Sequence, residues 1–299
     1  MTNKHKSGYV AIVGPPNVGK STLLNRLLGQ KVAIVTPKPQ TTRDRILGIL
    51  TRQGLQIIFL DTPGIFQPGY QLQKVMVQTA AHALKEADLA LMMTAGTRPA
   101  GSDEERIIDL LVQSKIPGIL AINKVDAVEN KKTILPLIES YSALDVFAEI
   151  VPISALTGDG VEQLVTILAE HLPAGPQYYP EDMITEAPER FIAAEIIREK
   201  LFLRTGEEIP YSLAVKVDEY KERNQLLYIR ATVYVERDSQ KAIVIGEKGR
   251  KLKEIGRLAR EELEKMVGQK IFLELWVKVR HKWRHRDTDL RYLGYRNRR

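Results

Sequence analysis

The chain has no cysteine among its 299 residues, which excludes a disulfide framework, thiol catalysis and thiolate metal sites, and fits a reducing cytoplasm. It also has no run of 18 or more apolar residues of the kind a membrane span needs. Residues 1–7 lack the apolar core of a signal peptide, so a soluble, unsecreted, cytoplasmic protein without a transmembrane segment is expected. Internal repeats and low-complexity segments are absent as well.

What is present is an uneven charge. The net charge is +7, but residues 1–180 carry 17 basic and 16 acidic side chains while residues 181–299 carry 27 and 21. Residues 278–299 alone hold 9 basic against 2 acidic. A basic excess confined to one half points to a polyanionic partner, either nucleic acid or an anionic membrane surface.

Length alone makes two domains the default. In the first half, short apolar runs at 9–13, 44–51, 55–60, 89–94, 118–122 and 150–153 read as strands. Amphipathic stretches at 21–28, 73–86, 102–114, 130–140 and 161–171 alternate with them as helices. The pattern is that of an α/β domain, a mostly parallel sheet with helices on both faces, over residues 1–172. Four prolines and a glycine in 172–190 place a linker at 173–188. Residues 189–299 then read as a smaller α+β domain with a basic tail. Its order is a helix at 189–204, strands at 211–220 and 226–236, helices at 240–245 and 250–267, and a strand at 271–279.

Gly14-Pro15-Pro16-Asn17-Val18-Gly19-Lys20-Ser21 matches the phosphate-loop pattern and lies where the first strand turns into a helix. Its amides can wrap phosphates, Lys20 can reach the outer phosphates, and the Ser21 hydroxyl can hold magnesium. Asn123-Lys124-Val125-Asp126 selects the base. An Asp there can accept two hydrogen bonds from guanine, and adenine offers neither donor. Lys124 would lie along the nucleotide and Asn123 would brace the phosphate loop. Ser154-Ala155 follows the next strand, where the Ala155 amide can meet the guanine carbonyl.

Asp61-Thr62-Pro63-Gly64 ends the third strand, with Asp61 suited to magnesium through water and the Gly64 amide to the terminal phosphate. Within Gln40-Thr41-Thr42-Arg43 a threonine hydroxyl can complete the magnesium shell, and the register favours Thr42 over Thr41. GTP and GDP with magnesium are thus the expected ligands, magnesium being held by Ser21, Thr42 and Asp61. Lys20, Thr42 and Gly64 are the candidate catalytic groups. Many GTPases carry a water-orienting glutamine after this glycine; here the residue is Ile65, which supplies no such group.

In the second half, Gly246-Glu247-Lys248-Gly249 sits between two helices and precedes Arg250, Lys251 and Lys253. A glycine turn lets a nucleic-acid backbone approach, and a basic helix with an apolar strand face can complete a four-nucleotide groove. G-x-x-G alone is a weak signal, and its placement gives it weight. Trp276 and Trp283 could stack on bases or pack. The alternating Lys278, Arg280, Lys282, Arg284 and Arg286 could track phosphates beyond the groove.

These motifs, with Tyr178-Tyr179-Pro180, Val244-Ile245-Gly246 and residues 273–279, resemble the Era family of bacterial GTPases over nearly the whole chain. The resemblance implies a translation-factor-like GTPase domain joined to a type II KH domain. The implied function is assembly of the small ribosomal subunit through binding of its RNA near the 3′ end. It further implies a potassium ion beside the phosphates at Asn17, and peripheral association with the inner membrane, for which the sequence itself offers no independent sign; a monomer is expected. Two departures are Pro15, where a basic residue is common, and Glu247, an acid within the G-x-x-G. A GTP-switched membrane or protein adaptor whose C-terminal module does not bind RNA remains the alternative.

Overall fold

The computed structural model describes residues 5–223 and 225–295. Its first sheet contains β1 (Lys6–Val13), β2 (Ile46–Arg52), β3 (Leu55–Asp61), β4 (Leu89–Ala95), β5 (Gly118–Asn123) and β6 (Phe147–Pro152). The strand order is β2-β3-β1-β4-β5-β6. Only β2 is antiparallel to its neighbour, being joined to β3 by the two-residue turn Gln53-Gly54. β4 is buried along its whole length because helices cover both faces of the sheet, as its unbroken apolar run requires.

Alternation along β1 assigns the faces. Val10 and Ile12 pack with Leu23, Leu24 and Leu27 of α1 (Lys20–Leu28) and with Leu164 and Leu168 of α5 (Val161–His171). Ala11 and Val13 pack on the other side with α2 (Gln71–Glu86), α3 (Ser102–Ser114) and Tyr141 of α4 (Leu135–Ser142). Both layers converge at the C-terminal ends of β1 and β5, where loops are free to hold a ligand.

The second unit comprises α6 (Glu189–Arg204), α7 (Ile209–Ser212), β7 (Ala214–Arg223), β8 (Leu226–Val235), α8 (Asp238–Ile245), α9 (Arg250–Val267), β9 (Ile271–Val279) and α10 (Asp287–Tyr292). Its sheet runs β7-β8-β9, antiparallel then parallel. Ile255, Ala259 and Leu263 of α9, spaced at about one helical turn, bury against Ile229, Ala231 and Val233 of β8.

Three elements differ from the sequence expectation. The strand expected from residue 211 begins at Ala214, because Pro210 at the start of α7 favours a helical turn first. The expected helix 130–140 divides into a 3-10 turn, Lys131–Ile134, and α4, with Pro136 in the first turn of α4. The expected basic tail holds α10. Trp283 and Leu290 pack with Phe66, Leu72, Val75 and Met76 of the first unit, which gives Trp283 a packing role. Its ring is fully buried and donates through Nε1 to Ser212 O at 2.8 Å. Arg296, Arg298 and Arg299 of that tail lie outside the described residues.

Residues 173–188 form no helix or long strand, yet they are laid closely along the first unit. Gly175 N donates to His5 O (3.0 Å), Gln56 Oε1 accepts from the amides of Tyr178 and Tyr179, and Ile49 N donates to Ile184 O (2.8 Å). The last contact, with Thr185 Oγ1 donating to Leu47 O, covers the exposed edge of β2.

Candidate functional site

Residues 14–21 wrap the end of β1 as it enters α1. Gly19 has φ +102° and so near an approach to Asn123 that a Cβ there would lie 2.3 Å from Nδ2; only glycine fits. The Lys20 ammonium is buried and donates to Gly14 O (3.0 Å) and Pro15 O (2.9 Å). Burial pushes it down to about 8, partly offset by the nearby Asp61 charge.

Asp61 is fully buried at the end of β3, and burial pushes its carboxyl up to about 6 against the Ser21 hydrogen bond and the Lys20 charge. Ser21 Oγ donates to Asp61 Oδ2 at 2.6 Å and lies 2.9 Å from Thr42 Oγ1. Asp61 Oδ1 has no hydrogen-bond partner. The structure thus brings the three expected metal ligands together. It also separates the two candidate threonines, since Thr41 Oγ1 instead meets Thr36 Oγ1 (2.6 Å) and Lys38 O (2.7 Å). No group of three or more His, Cys, Asp or Glu able to hold a metal occurs among the described residues. One carboxylate and two hydroxyls form a hard oxygen set suited to magnesium, and the orphaned Oδ1 fits that group.

The cleft beside this triad, of about 410 Å³, is lined by Pro16, Asn17, Thr36, Pro37, Gln40, Gly64 and Lys124 among others. Asn17 Nδ2 donates to Pro37 O at 2.8 Å, tying the phosphate loop to the 36–43 segment. Gly64 abuts Pro16 so closely that a Cβ would meet its nitrogen at 2.8 Å. Thr62 Oγ1 donates to Ile12 O (2.7 Å), and Pro63 is buried. Ile65 is fully buried in the core with Leu60 and Leu84, so its side chain is turned away from the cleft.

At the base end, Asn123 Nδ2 donates to Val18 O (2.7 Å) and its Oδ1 accepts from Ala155 N (2.8 Å). The Ala155 amide expected to face a guanine carbonyl is therefore engaged by Asn123, and a base contact would share it. Asp126 is exposed and accepts from Ser154 Oγ at 2.6 Å through one carboxylate oxygen.

The second candidate site is a groove between α9 and β9, lined by Gly249, Arg250, Leu252, Lys253, Gly256, Arg257, Arg260, Leu273 and Leu275 among others. Of the expected RNA-binding residues, Gly249, Arg250 and Lys253 line it, and Gly246, Glu247, Lys248 and Lys251 do not. Gly246 has φ +72° and abuts Lys251, where a Cβ would come within 2.7 Å of the Lys251 Cβ. Glu247 is ion-paired with Arg250. Sequence reading missed Arg257 and Arg260; their spacing of 3, 4 and 3 from Arg250 through Lys253 marks one helix face and could have found them. The expected run of basic side chains after β9 is broken up. Arg280 is held by Asp289, and Arg284 by Glu236 and the Tyr70 ring.

Comparison with known proteins agrees with both halves. A family described as 50S ribosome-binding GTPase matches residues 9–124, and the KH domain family matches residues 208–284. The GTPase Era of Geobacter metallireducens is 52% identical over 295 residues, covering 98% of this chain and 99% of that protein. The chain belongs to the Era family of GTPases. Like other Era proteins it is a GTPase with a mostly parallel P-loop sheet and a C-terminal KH domain. A crystal structure of an Aquifex aeolicus Era variant bound to GDP and AlF4⁻ is similar over 97% of this chain and 99% of its own, at 47% identity and a TM-score of 0.94. A structure of Era with MgGDPNP and nucleotides 1506–1542 of 16S ribosomal RNA is equally similar, at 47% identity over 97% of this chain and 99% of its own and a TM-score of 0.95.

The raised Asp61 carboxyl gives a stability prediction. Its ionisation moves from 3.8 to about 6 on folding, so the folded state loses up to about 3 kcal/mol as pH rises from 4 through 6. In magnesium-free buffer, Asp61→Asn should raise the unfolding free energy at pH 7.5 by on the order of 1–3 kcal/mol and much less at pH 4. Urea titrations at the two pH values check it; equal gains would mean that the charge is not destabilised by burial.

Proposed function

We propose that this Era-family chain binds GTP with magnesium in the 14–21 cleft, hydrolyses it, and grips small-subunit ribosomal RNA near its 3′ end in the α9–β9 groove during subunit assembly. The observation that carries the reading is the convergence of Ser21, Thr42 and Asp61 beside Lys20, with one buried carboxylate oxygen unsatisfied. The complex of the similar Era protein with 16S ribosomal RNA supports the RNA half. The division proposed is a GTPase domain over 1–172, a linker over 173–188 and a KH domain from 189. The ends of α5 and α6 that flank this linker, which lies as a strap along the first unit, support it.

Ser21, Thr42 and Asp61 would hold magnesium, which neutralises charge on the phosphates. The amides of 14–19 orient the phosphates, and Lys20 stabilises charge developing on the outer ones. The Gly64 amide, brought close to Pro16, binds the terminal phosphate. Asp126 accepts the guanine donors while Ser154 holds its other face. Lys124 covers the base, and Asn123 and Ala155 close the far side. In the KH domain, the Gly246–Gly249 turn admits the sugar-phosphate backbone. Arg250 and Lys253, with Arg257 and Arg260, attract phosphates along the groove, and Leu273 and Leu275 supply its apolar floor. Glu247, Lys248 and Lys251 flank the turn and complete the proposed contact.

A potassium ion at Asn17, a monomeric state and a peripheral hold on the cytoplasmic face of the membrane complete the proposal. The position of Asn17 in the cleft supports the first. No helix among the described residues is long and apolar enough to cross a membrane.

Three outcomes test these roles. Asp126→Asn should exchange GTP preference for xanthosine triphosphate, since a site built to accept donors rejects analogues lacking them by roughly 10⁴. Unchanged GTP affinity in that variant, by calorimetry, would misplace the base.

With Ile65 in the glutamine position, unassisted turnover should fall within about 10⁻⁴ to 10⁻² per second. Potassium should accelerate it over sodium in the wild type and not in Asn17→Ala. Equal rates in the two salts, measured by phosphate release, remove the potassium ion while leaving GTP binding in place.

Gly249→Asp should abolish binding of single-stranded 3′-end ribosomal RNA without slowing GTP hydrolysis. Replacing Arg257 and Arg260 by Gln should flatten the log-log salt dependence by roughly 0.7 for each phosphate that is no longer neutralised. Wild-type RNA affinity in the folded glycine variant, by fluorescence anisotropy, would place the RNA elsewhere.

A further inference from the structure

The segment that carries Thr42 is fastened to the second domain as well as to the first. Arg43, the next residue, is 3% exposed, and its guanidinium leaves the GTPase domain altogether. Nη1 donates to Leu213 O (2.6 Å), and Nη2 donates to Pro210 O (3.0 Å) and Tyr211 O (3.3 Å). The rings of Phe202 and Trp283 close over the cation, with centroids 5.7 and 5.9 Å from Cζ.

Five residues earlier, Lys38 Nζ donates to Phe202 O and Thr205 O. Earlier still, Val35 N donates to Glu199 Oε1 (3.1 Å) and Lys31 pairs with Glu199 Oε2 (2.6 Å). The acceptors of Arg43 and Lys38 share one chemistry. The C-terminal carbonyls of a helix have no intrahelical partner, and those of α6 and α7 are satisfied here by cations from the opposite domain.

We infer that Arg43 is a positioning residue for GTP hydrolysis, through which the KH domain holds the Thr42 hydroxyl beside Ser21 and Asp61. The inference rests on the proposed function and goes beyond it, because it makes the second domain part of the GTPase site. Adjacent Cα atoms are about 3.8 Å apart across a trans peptide, so a cage that holds the Arg43 guanidinium tethers the backbone next to Thr42. Gln40 Oε1, accepting from Gln73 Nε2 at 3.0 Å, steadies the other side of the same turn. A misplacement of about 1 Å in a reacting geometry can cost roughly 10²-fold in rate. A guanidinium fork meets three carbonyls and two ring faces at once, which an ammonium cannot do.

The experiment is single-turnover GTP hydrolysis by the full chain, with affinity for GDP measured alongside. Arg43→Ala should lower the hydrolysis rate roughly tenfold or more while GDP affinity stays within about twofold, since GDP lacks the terminal phosphate at which the held Thr42 hydroxyl would act. Arg43→Lys, which retains the charge and is the milder change to folding, should give an intermediate rate. Lys38→Ala should fall in the same direction by less.

A wild-type rate in Arg43→Ala overturns the inference. So does a loss of GDP affinity in step with rate in both Arg43 variants, because that is a general collapse of the cleft. If the wild-type chain itself neither binds nor hydrolyses GTP, the proposed function fails instead, and the two failures are distinct.

Discussion

The carboxamide of Asn123 is the joint on which the nucleotide site is assembled. One end holds Val18 O of the phosphate loop and the other receives Ala155 N of the base loop, so two segments far apart in the chain are set by one side chain. At 2% exposure, losing that side chain would strand a carbonyl and an amide away from water, at about 1–3 kcal/mol for each group. The need for glycine at position 19 follows from the same contact, because the loop must pass within a hydrogen-bond length of Asn123. The proposed base loop and the phosphate loop are thus registered against each other by one side chain.

The two halves meet by a different logic. Between Phe66, Leu72 and Met76 on one side and Trp283, Leu290 and Leu293 on the other lies a small apolar cluster. Beside it, Arg43 and Lys38 reach carbonyl oxygens rather than carboxylates. Such contacts depend on the directions of main-chain dipoles, so they favour one relative orientation of the domains over a general attraction. The segments around Thr42 and after Gly64 supply the first domain's side of this contact.

How much of this was legible in the sequence follows from the range of each interaction. The phosphate loop, the Asp61 turn and the Asn123 motif could be read because each is a short segment at the end of a buried strand, and strand and motif point to the same place. The G-x-x-G turn was legible from its place between two helices, but the groove was drawn too close to it. Its actual lining runs along α9 to Arg260, which periodicity encodes and local motif reading overlooks. Trp283 and Arg43 were not legible as partners. Nothing within a few residues of either reveals that the two, so distant in the chain, share one cage. Similarly, a proline-rich stretch reads as a tether from composition, whereas the acceptors that pin it, Gln56 and Leu47, lie on strands far earlier in the chain.

That pinning sets a geometric limit on how far the KH domain can travel. The last hydrogen bond from residues 173–188 to the first sheet is at Thr185, and α6 begins at Glu189. Four residues at about 3.3–3.6 Å each give a leash of roughly 14 Å at full stretch. Pro188 at its end fixes one backbone angle and shortens the usable arc. A domain on so short a leash swings about a point near the edge of β2 rather than drifting free. Released from its cage, it stays within reach of the same carbonyl contacts, so redocking is an intramolecular search through a small volume.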